Sequence, residues 1–359
     1  MSTEPTMLVT YAQALLEGTR QAMELDPNVI VIGEGVPDPG AIFGTTKGLL
    51  EQFGPRRVFD MPLSENGITG VCIGASFHGI RPILIHQRID FALLSLDQII
   101  NNAAKWSYTF NGQKSVPLVI RMIIGRGWGQ GPQHSQSLQA LFAHIPGLKV
   151  VMPSSPSDAK ALMISAVEDN NPVIFIEHRW LQNIVEKVPK DPYRTPIDKA
   201  RLVREGEHLS LVAFSYMVTE AIRIADALKE FGIDIEVIDM RSLRPLDIAS
   251  VSRSVRKTGK LICLDSATKV GSISSEIIRQ VVENDWKYLD KAPISLGTPD
   301  HPVPTTHYLA NRYYLEADQI ARVIIDYLDA REVNADELVE GLRRTMPLDK
   351  PFTEFSGPF

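Results

Sequence analysis

The chain has 359 residues, of which 44% are hydrophobic and 22% are charged, a balance typical of a globular α/β protein. Because a single hydrophobic core normally stops growing below this length, we expect two domains. The formal net charge of -6, without any run of Lys or Arg, gives no electrostatic reason to expect a nucleic-acid partner.

The first half of the chain alternates helical and strand patterns, which predicts a parallel sheet flanked by helices. Helical spacing is found at 11–25, 68–79, 93–110, 135–145 and 156–169. Apolar or β-branched runs that predict strands lie at 29–35, 81–86, 116–124, 148–153 and 171–178. Ser157 or Asp158 is suited to cap the helix at 156–169.

A polar, Pro-containing stretch at 186–204 predicts a linker, and a second α/β unit follows it. Strand patterns there lie at 209–216, 233–242, 260–267 and 294–299, and helical patterns at 218–232, 247–259, 274–286 and 317–331. We therefore expect a first domain at 1–185, a second domain at 205–330 and a C-terminal arm or extra helix at 331–359.

The cysteines and the N-terminus narrow the class of protein further. Cys72 and Cys263 lie in separate apolar stretches, which supports neither a disulfide scaffold nor a cysteine-based zinc site. The first residues lack a basic region followed by an apolar core and a cleavage site, and no apolar run approaches the ~18 residues of a membrane helix. We expect a cytoplasmic protein without a membrane partner.

Two Gly-rich stretches, at 33–40 and 125–137, follow predicted strands, but neither has the Walker or the Rossmann spacing. A generic loop is the alternative for each. In the second stretch His134 precedes a predicted helix, and ligands dock in loops that follow parallel strands. We expect His134 at a helix N-terminus, able to donate to or accept from a substrate, unless it is a capping or packing histidine.

Glu65 is the only charged residue between Asp60 and Arg81, and it precedes a Gly-rich helical pattern. One interpretation is a carboxylate that caps the start of this helix. The other is a buried carboxyl group that donates a proton to a ligand nitrogen or shares one with it. The spacing alone leaves both interpretations open.

Several ordered blocks of the sequence are familiar, among them "FDMPLSENGITGVCIGASFHG", "DQIINNAAKWSY", "GQGPQHSQSLQALFAHIPGLKVVMP" and "EVIDMRSLRPLD". Together they closely resemble the beta subunits of thiamine-diphosphate-dependent 2-oxo acid dehydrogenases, relatives of transketolase. The resemblance covers roughly residues 7 to 330. It implies an N-terminal pyrimidine-binding domain, with a parallel sheet flanked by helices, and a transketolase C-terminal-like α/β domain.

The resemblance also implies a partner. Beta subunits of this family act in an α2β2 heterotetramer, in which a separate alpha subunit holds the diphosphate and magnesium through a Gly-Asp-Gly motif. That motif is absent from this sequence, as expected for a beta chain. A lipoyl acyltransferase is a further expected partner.

Roles for individual residues follow from the matched motifs. Glu65 matches the glutamate that binds the pyrimidine nitrogen of thiamine diphosphate and activates it. His134 matches the histidine of the active-site channel that handles substrate and acyl transfer, and Glu34 matches a glutamate near the cofactor. A monovalent-cation loop is also implied, with K+ as the expected ion and the ligands Leu118, Ala166, Val167, Asp169 and Asn171.

The sequence departs from the family pattern at 84–91, "LIHQRIDF". Ile85, His86, Arg88 and Ile89 stand where the family commonly has a Glu, an apolar residue and aromatic residues that wall the pyrimidine site. We expect Ile89 at the cofactor. His86 and Arg88 could complement an anionic substrate, since a guanidinium binds carboxylate or phosphate in a bidentate way; the alternative is that Arg88 faces the alpha subunit or an internal carboxylate.

Our leading interpretation is the beta subunit of a decarboxylating 2-oxo acid dehydrogenase, with Glu65 as activator and His134 as acyl-transfer residue. A second is a divergent transketolase-like carbon–carbon ligase of a specialised biosynthetic pathway. A third is a catalytically silent scaffold subunit. The sequence does not identify the 2-oxo acid or the acceptor.

Overall fold

The computed structural model describes residues 5–38, 40–127, 129–331 and 333–344. In chain order its strands are β1 Thr6–Thr10, β2 Val29–Gly33, β3 Val58–Phe59, β4 Arg81–His86, β5 Val119–Ile124, β6 Lys149–Val151, β7 Val173–His178, β8 Val185–Pro189, β9 Arg201–Arg204, β10 Leu209–Ala213, β11 Ile235–Asp239, β12 Ser242–Arg244, β13 Leu261–Thr268 and β14 Ile294–Thr298. Its α-helices are α1 Tyr11–Leu25, α2 Leu49–Phe53, α3 Glu65–Ser76, α4 Ile89–Ala92, α5 Ala104–Thr109, α6 Gln139–Ala143, α7 Pro156–Glu168, α8 Tyr216–Lys229, α9 Ile248–Thr258, α10 Ile273–Asp285, α11 His307–Ala310, α12 Ala317–Leu328 and α13 Ala335–Leu342.

Two twisted sheets organise the chain. The first has the order β12-β6-β7-β5-β4-β2-β3 and is parallel except for β12, and the second has the order β14-β13-β10-β11-β9 and is parallel except for β9. Their central strands are buried along their length, as is typical of parallel sheets covered by helices on both faces. The predicted parallel α/β pattern is therefore observed in both halves.

The segment expected to be a linker, 186–204, contains paired strands at both of its ends. β8 pairs with β1 in an antiparallel ribbon, and β9 forms the antiparallel edge of the second sheet. In addition β12, which belongs to the second half of the chain, pairs with β6 at the edge of the first sheet. The two units therefore share a sheet, and the domain boundaries at 185, 204 and 330 stay a prediction.

Helix α1 shows how the sequence sets local structure. Thr10 and Gln13 form a capping box, in which each side chain accepts a hydrogen bond from the backbone N–H of the other. Gly18 then allows α1 to pack closely on α7, since a Cβ at this position would lie 2.7 Å from the carbonyl oxygen of Lys160. The packing of α1 on α7 is one of the main helix–helix contacts of the first unit.

Three expectations about helices are corrected by the structure. α7 is capped by Ser155, whose hydroxyl accepts from the Asp158 N–H, and Pro156 occupies its first turn, so neither Ser157 nor Asp158 is the cap. The continuous helix expected at 93–110 is divided into a 3-10 turn, a π-helical segment at Gln98–Ala103 and α5. The helix expected at 135–145 is reduced to α6, which begins at Gln139.

The described part of the C-terminal arm is a helix. α13 packs on α8 and α12, and the Arg223 guanidinium donates to the Leu342 carbonyl at 2.6 Å. Arg344 follows and pairs with the buried carboxylate of Glu220. Residues 345–359 of the predicted arm lie outside the described residues. Among the residues that are described, no helix has both the length and the apolar character needed to cross a membrane.

Candidate active site

The carboxyl ends of β2, β4, β5 and β7 meet at one edge of the first sheet. The register places Gly33 beside Ile85, His86 beside Met122, and Ile124 beside His178. The segments that leave these strands therefore begin next to one another. Ligands bind at this edge in open parallel sheets, so the geometry selects it as the candidate site.

Glu34 leaves β2 at this edge with a carboxyl group that is only partly satisfied. Its Oε1 is buried and has no hydrogen-bond partner within the described protein. Burial, followed by the negative charges of Glu65 and Asp60, raises the pKa of Glu34 above its usual value. Burial acts first, and the like charges of the two neighbouring carboxylates add to it, since both disfavour the ionised form of a carboxyl group.

Asp60 and Glu65 complete this group of carboxylates. Asp60 Oδ1 accepts hydrogen bonds from the N–H groups of Gly35 and Met61, both at 2.9 Å, which ties the segment before α3 to the segment after β2. Glu65 is the first residue of α3 and is 8% exposed. α3 does begin at Glu65, and its side chain is also buried beside two other acids, so features of both interpretations of Glu65 are present.

His134 lies in the loop after β5, away from the helix start that was expected. It is the last residue of a 3-10 turn, Pro132–His134, and α6 begins five residues later, so the expected helix N-terminus is wrong. The imidazole is exposed, and its ring packs edge-on against Phe91 with 5.4 Å between the centroids. The structure brings it to the same sheet edge as the carboxylates, on a loop.

The residues that depart from the family pattern point inward. His86 is 2% exposed, its Nε2 has no partner among the described residues, and burial lowers its pKa to about 4, so the ring is neutral at pH 7. Arg88 is 5% exposed and donates to the Gly125 carbonyl and to Gln130 Oε1, both at 2.6 Å. These hydrogen bonds end on a backbone carbonyl and a side-chain amide, while the negative charge of the internal carboxylate of Asp90 also acts on the guanidinium.

Ile89, expected at the cofactor, has no exposed surface and packs in the hydrophobic core with Leu84 and Ile120. A side chain without exposed surface cannot contact a ligand in this arrangement. The geometry therefore does not support a cofactor contact by Ile89.

The residues expected to bind a monovalent cation do lie close together, but groups of the chain itself hold most of their oxygen atoms. The Arg81 guanidinium donates to the carbonyl oxygens of Val167 and Asp169, at 2.9 and 3.1 Å. The Asp169 carboxylate pairs with Lys149 and accepts from the Asn171 N–H. The Leu118 carbonyl accepts from the Val173 N–H, and Ala166 lies within α7. At this loop, the positive charge that a bound cation would supply to Val167 and Asp169 is supplied by Arg81 and Lys149.

Two cavities border the loop regions. One of about 540 Å³ adjoins the His134 segment and is lined on the opposite side by residues of the second unit, including Thr298, His301 and Tyr313. A larger one, of about 910 Å³, lies between α6 and α10. None of the three carboxylates lines either cavity. Cavity volume alone therefore does not select the candidate site, and the feature that distinguishes the sheet edge is the buried, unpartnered Oε1 of Glu34.

Sequence reasoning missed several residues that shape this edge. Asp60 could have been noticed, because it stands five residues before Glu65. Gln130 and Arg126 carry no pattern that predicts their contacts. The buried Arg126 guanidinium nonetheless donates to the Gln130 carbonyl at 2.8 Å and to the Thr305 carbonyl, which ties the His134 segment to the second unit.

Comparison with family models gives two matches. Residues 8–183 match the model of the transketolase pyrimidine-binding domain, and residues 198–320 match that of the transketolase C-terminal domain. The chain is similar in fold to a split-gene transketolase described as an inactive β4 tetramer, with a TM-score of 0.72 and 22% identity over 89% of this chain and 98% of the other. These matches confirm the expected fold class.

Relatives with higher identity are also found. The beta subunit of the pyruvate dehydrogenase E1 component of Rhizobium meliloti is 40% identical over 88% of this chain and 68% of its own length. The beta subunit of the acetoin:2,6-dichlorophenolindophenol oxidoreductase of Bacillus subtilis is 39% identical over 91% of this chain and 99% of its own length. The corresponding subunit of Cupriavidus necator is 42% identical over 86% of this chain and 94% of its own length.

Proposed function

Because this chain belongs to the family of pyruvate and acetoin dehydrogenase beta subunits with transketolase-type domains, we propose that it is the beta subunit of a thiamine-diphosphate-dependent 2-oxo acid dehydrogenase. The group of carboxyls formed by Glu34, Asp60 and Glu65 carries this proposal. A buried carboxyl oxygen without a partner is costly, and a ligand nitrogen that donates to it would remove the cost.

The residues present fit the pyrimidine half of the cofactor. An aminopyrimidine has ring nitrogens and an exocyclic amine, which can accept a proton from one carboxyl group and donate a hydrogen bond to another. Glu65, at the start of α3, would hold or exchange the proton with a ring nitrogen. Glu34 would contribute its buried Oε1, which has no hydrogen-bond partner among the described residues, to the same ligand.

Bound thiamine diphosphate supplies the carbanion chemistry by which a 2-oxo acid loses its carboxylate. The work of this chain is to bind, orient and move protons. His134, exposed on its loop and positioned by Phe91, would donate to or accept from the substrate or the acyl acceptor at the mouth of the site.

The diphosphate and magnesium are proposed to be held by a separate alpha chain in an α2β2 assembly, and the acyl group to pass to the lipoyl group of an acyltransferase. The relatives named as beta subunits support a separate chain, because a beta subunit is one component of a larger enzyme.

A K+ ion in the loop around Asp169 stays a prediction with weaker support, because Arg81 and Lys149 already bind oxygen atoms of Val167 and Asp169. No step of the proposed mechanism depends on it. Titration of the assembled enzyme with K+ and with Na+ tests this ion directly.

Co-expression with a candidate alpha chain, followed by calorimetric titration with thiamine diphosphate and magnesium and by dye reduction with several 2-oxo acids, tests the proposed function. We expect cofactor binding by the complex and decarboxylation-dependent dye reduction. Binding without dye reduction, together with carbon–carbon bond formation between two substrates, would replace the dehydrogenase by a ligase. No binding by a properly assembled complex would contradict the enzyme and favour a scaffold subunit.

A further inference from the structure

The short turn after β4, from Arg88 to Phe91, contacts the loop after β5 at three places. We call residues 125–127 and 129–137 the His134 loop. At its beginning, Arg88 Nη1 donates to the Gly125 carbonyl and Nη2 donates to Gln130 Oε1, both at 2.6 Å. Gln130 Oε1 also accepts from the Gly127 N–H at 2.8 Å, so a single guanidinium ties the entry of the loop to its middle.

Of the other two contacts, one is made after His134 and one by the His134 ring itself. Asp90 Oδ1 accepts from Gln136 Nε2 at 2.8 Å and from the Gln136 N–H at 3.4 Å. Phe91 packs edge-on against the His134 ring. The turn therefore holds the loop before His134, at His134 and after it.

The chemistry of Arg88 suits holding a backbone. The side chain is 5% exposed, and its two terminal nitrogens donate to a backbone carbonyl and to a side-chain amide. Its burial, followed by the positive charge of Arg179, lowers its pKa to about 10, so it remains charged at pH 7. Hydrogen bonds from a charged donor are stronger than those between neutral groups, and a planar guanidinium spans two acceptors that an ammonium group cannot.

These contacts differ from those of a substrate-binding arginine. Both terminal nitrogens of Arg88 point at oxygens of the His134 loop, and those oxygens are a backbone carbonyl and an amide. A residue that binds an anion directly would instead aim this edge of the guanidinium at open space.

We propose that Arg88 is a positioning residue, which fixes the His134 loop in the geometry required for turnover. The proposal rests on the proposed function for its effect on activity, while its effect on the loop stands independently. Because a displacement of about 1 Å in a positioned group can lower a rate by ~10²-fold, loss of this contact is expected to lower kcat by roughly 10- to 100-fold.

The first test is a comparison of Arg88→Gln, Arg88→Lys and Gln130→Leu, each assembled with the alpha chain. Hydrogen–deuterium exchange followed by mass spectrometry measures the His134 loop directly. We expect faster exchange over 125–137 in Arg88→Gln and in Gln130→Leu. The exchange rate should increase less in Arg88→Lys, which keeps the positive charge but cannot span the two acceptors as a guanidinium does. Arg57→Gln is the matched control, because Arg57 also donates to backbone carbonyls, those of Met23, Asp26 and Val29, far along the chain from the loop.

The second test is a double-mutant cycle on turnover with Arg88→Gln and His134→Ala. If Arg88 acts through His134, the double variant is no slower than His134→Ala alone. Losses that multiply, or a KM for the 2-oxo acid that rises while kcat is unchanged, would overturn the positioning role and favour direct substrate binding. Unchanged exchange over 125–137 in a folded Arg88→Gln chain would overturn it as well.

The two proposals fail in different ways. An assembled wild-type complex that binds no cofactor removes the proposed function, whereas the exchange measurement still decides whether Arg88 holds the loop. Arg88→Lys guards against a variant that simply fails to fold, since it keeps the buried charge, whereas Gln130→Leu also removes the hydrogen bonds that Gln130 Oε1 accepts from the Gly127 N–H and from Arg179.

Discussion

Removing one partner of the buried Arg121–Glu177 ion pair should destabilise the chain far more than removing both. The two side chains lie on the neighbouring strands β5 and β7, have no exposed surface, and meet with 2.7 Å between Arg121 Nε and Glu177 Oε1. Arg121 Nη2 also donates to the Thr45 hydroxyl at 2.9 Å.

The magnitude follows from the environment of the pair. In Glu177→Leu the guanidinium stays buried with the Thr45 hydroxyl but without its counter-charge, which costs about 3–5 kcal/mol of the free energy of unfolding. The double variant Arg121→Met/Glu177→Leu removes both charges from the core, so we expect it to lie within ~1 kcal/mol of wild type or to be more stable. The coupling energy between the two sites is therefore large and favourable.

Equilibrium urea denaturation of the isolated chain, followed by circular dichroism, measures these differences. Glu283→Leu is the matched control, because Glu283 pairs with Arg279 on the exposed face of α10, where solvent screens the pair and its loss has little effect on stability. The reasoning is refuted if Glu177→Leu is no more destabilising than Glu283→Leu, or if the double variant loses the sum of the two single losses.

Two further predictions concern stability. Burial raises the pKa of Asp265 to about 6. The contribution of the Asp265 carboxyl group to the free energy of unfolding is therefore fully present below the pKa of about 4 in the unfolded chain, and about 3 kcal/mol of it is lost as the pH rises through 6. Asp265→Asn should flatten the decline in stability between pH 4 and 7 measured by urea titration, and an unaltered decline would contradict this. Gly18→Ala should lower the free energy of unfolding by ~1–3 kcal/mol, because the added Cβ would meet the Lys160 carbonyl where α1 packs on α7. The helical Gly74 has open space around it, so Gly74→Ala should leave the stability of the isolated chain unchanged or raise it. Equal thermal midpoints for the two variants would contradict the packing argument.

Strong local patterns predicted much of the fold. The helical spacing at 11–25 matches α1 because its apolar residues and its capping box agree. The central strands were predictable from their apolar runs, since strands covered on both faces have few polar residues. The resemblance to the dehydrogenase beta subunits gave the family, which the matched models confirm.

Long-range pairing and irregular segments were not predictable in the same way. β1 and β8 pair across most of the first unit, and short edge strands of mixed polarity have no distinctive period. The π-helical segment at Gln98–Ala103 interrupts a stretch whose spacing is helical throughout.

In the candidate site, too, residues with a local sequence signal were predicted, whereas contacts between distant residues were not. Glu65 was found from its isolation in an apolar stretch, and its partner Glu34 from a matched motif. The contacts of Arg88 were missed, because they reach residues 37 and 42 positions away and end on a glycine carbonyl and an amide, neither of which has a sequence pattern. The full burial of Ile89 was not predicted, because its position in the family pattern carries no information on burial, and its contact with the cofactor stays a prediction.

The most direct measurement of the central claim compares Glu65→Gln with Glu51→Gln in complexes assembled with the alpha chain. Glu51 is an exposed acid in the first turn of α2 of the same unit, so its variant controls for the loss of a negative charge. We predict that both complexes assemble, that Glu51→Gln keeps wild-type dye reduction, and that Glu65→Gln lowers it by about 10²–10⁴-fold, the usual effect of losing a proton-transfer group. Wild-type turnover in a Glu65→Gln complex that binds thiamine diphosphate would contradict the account.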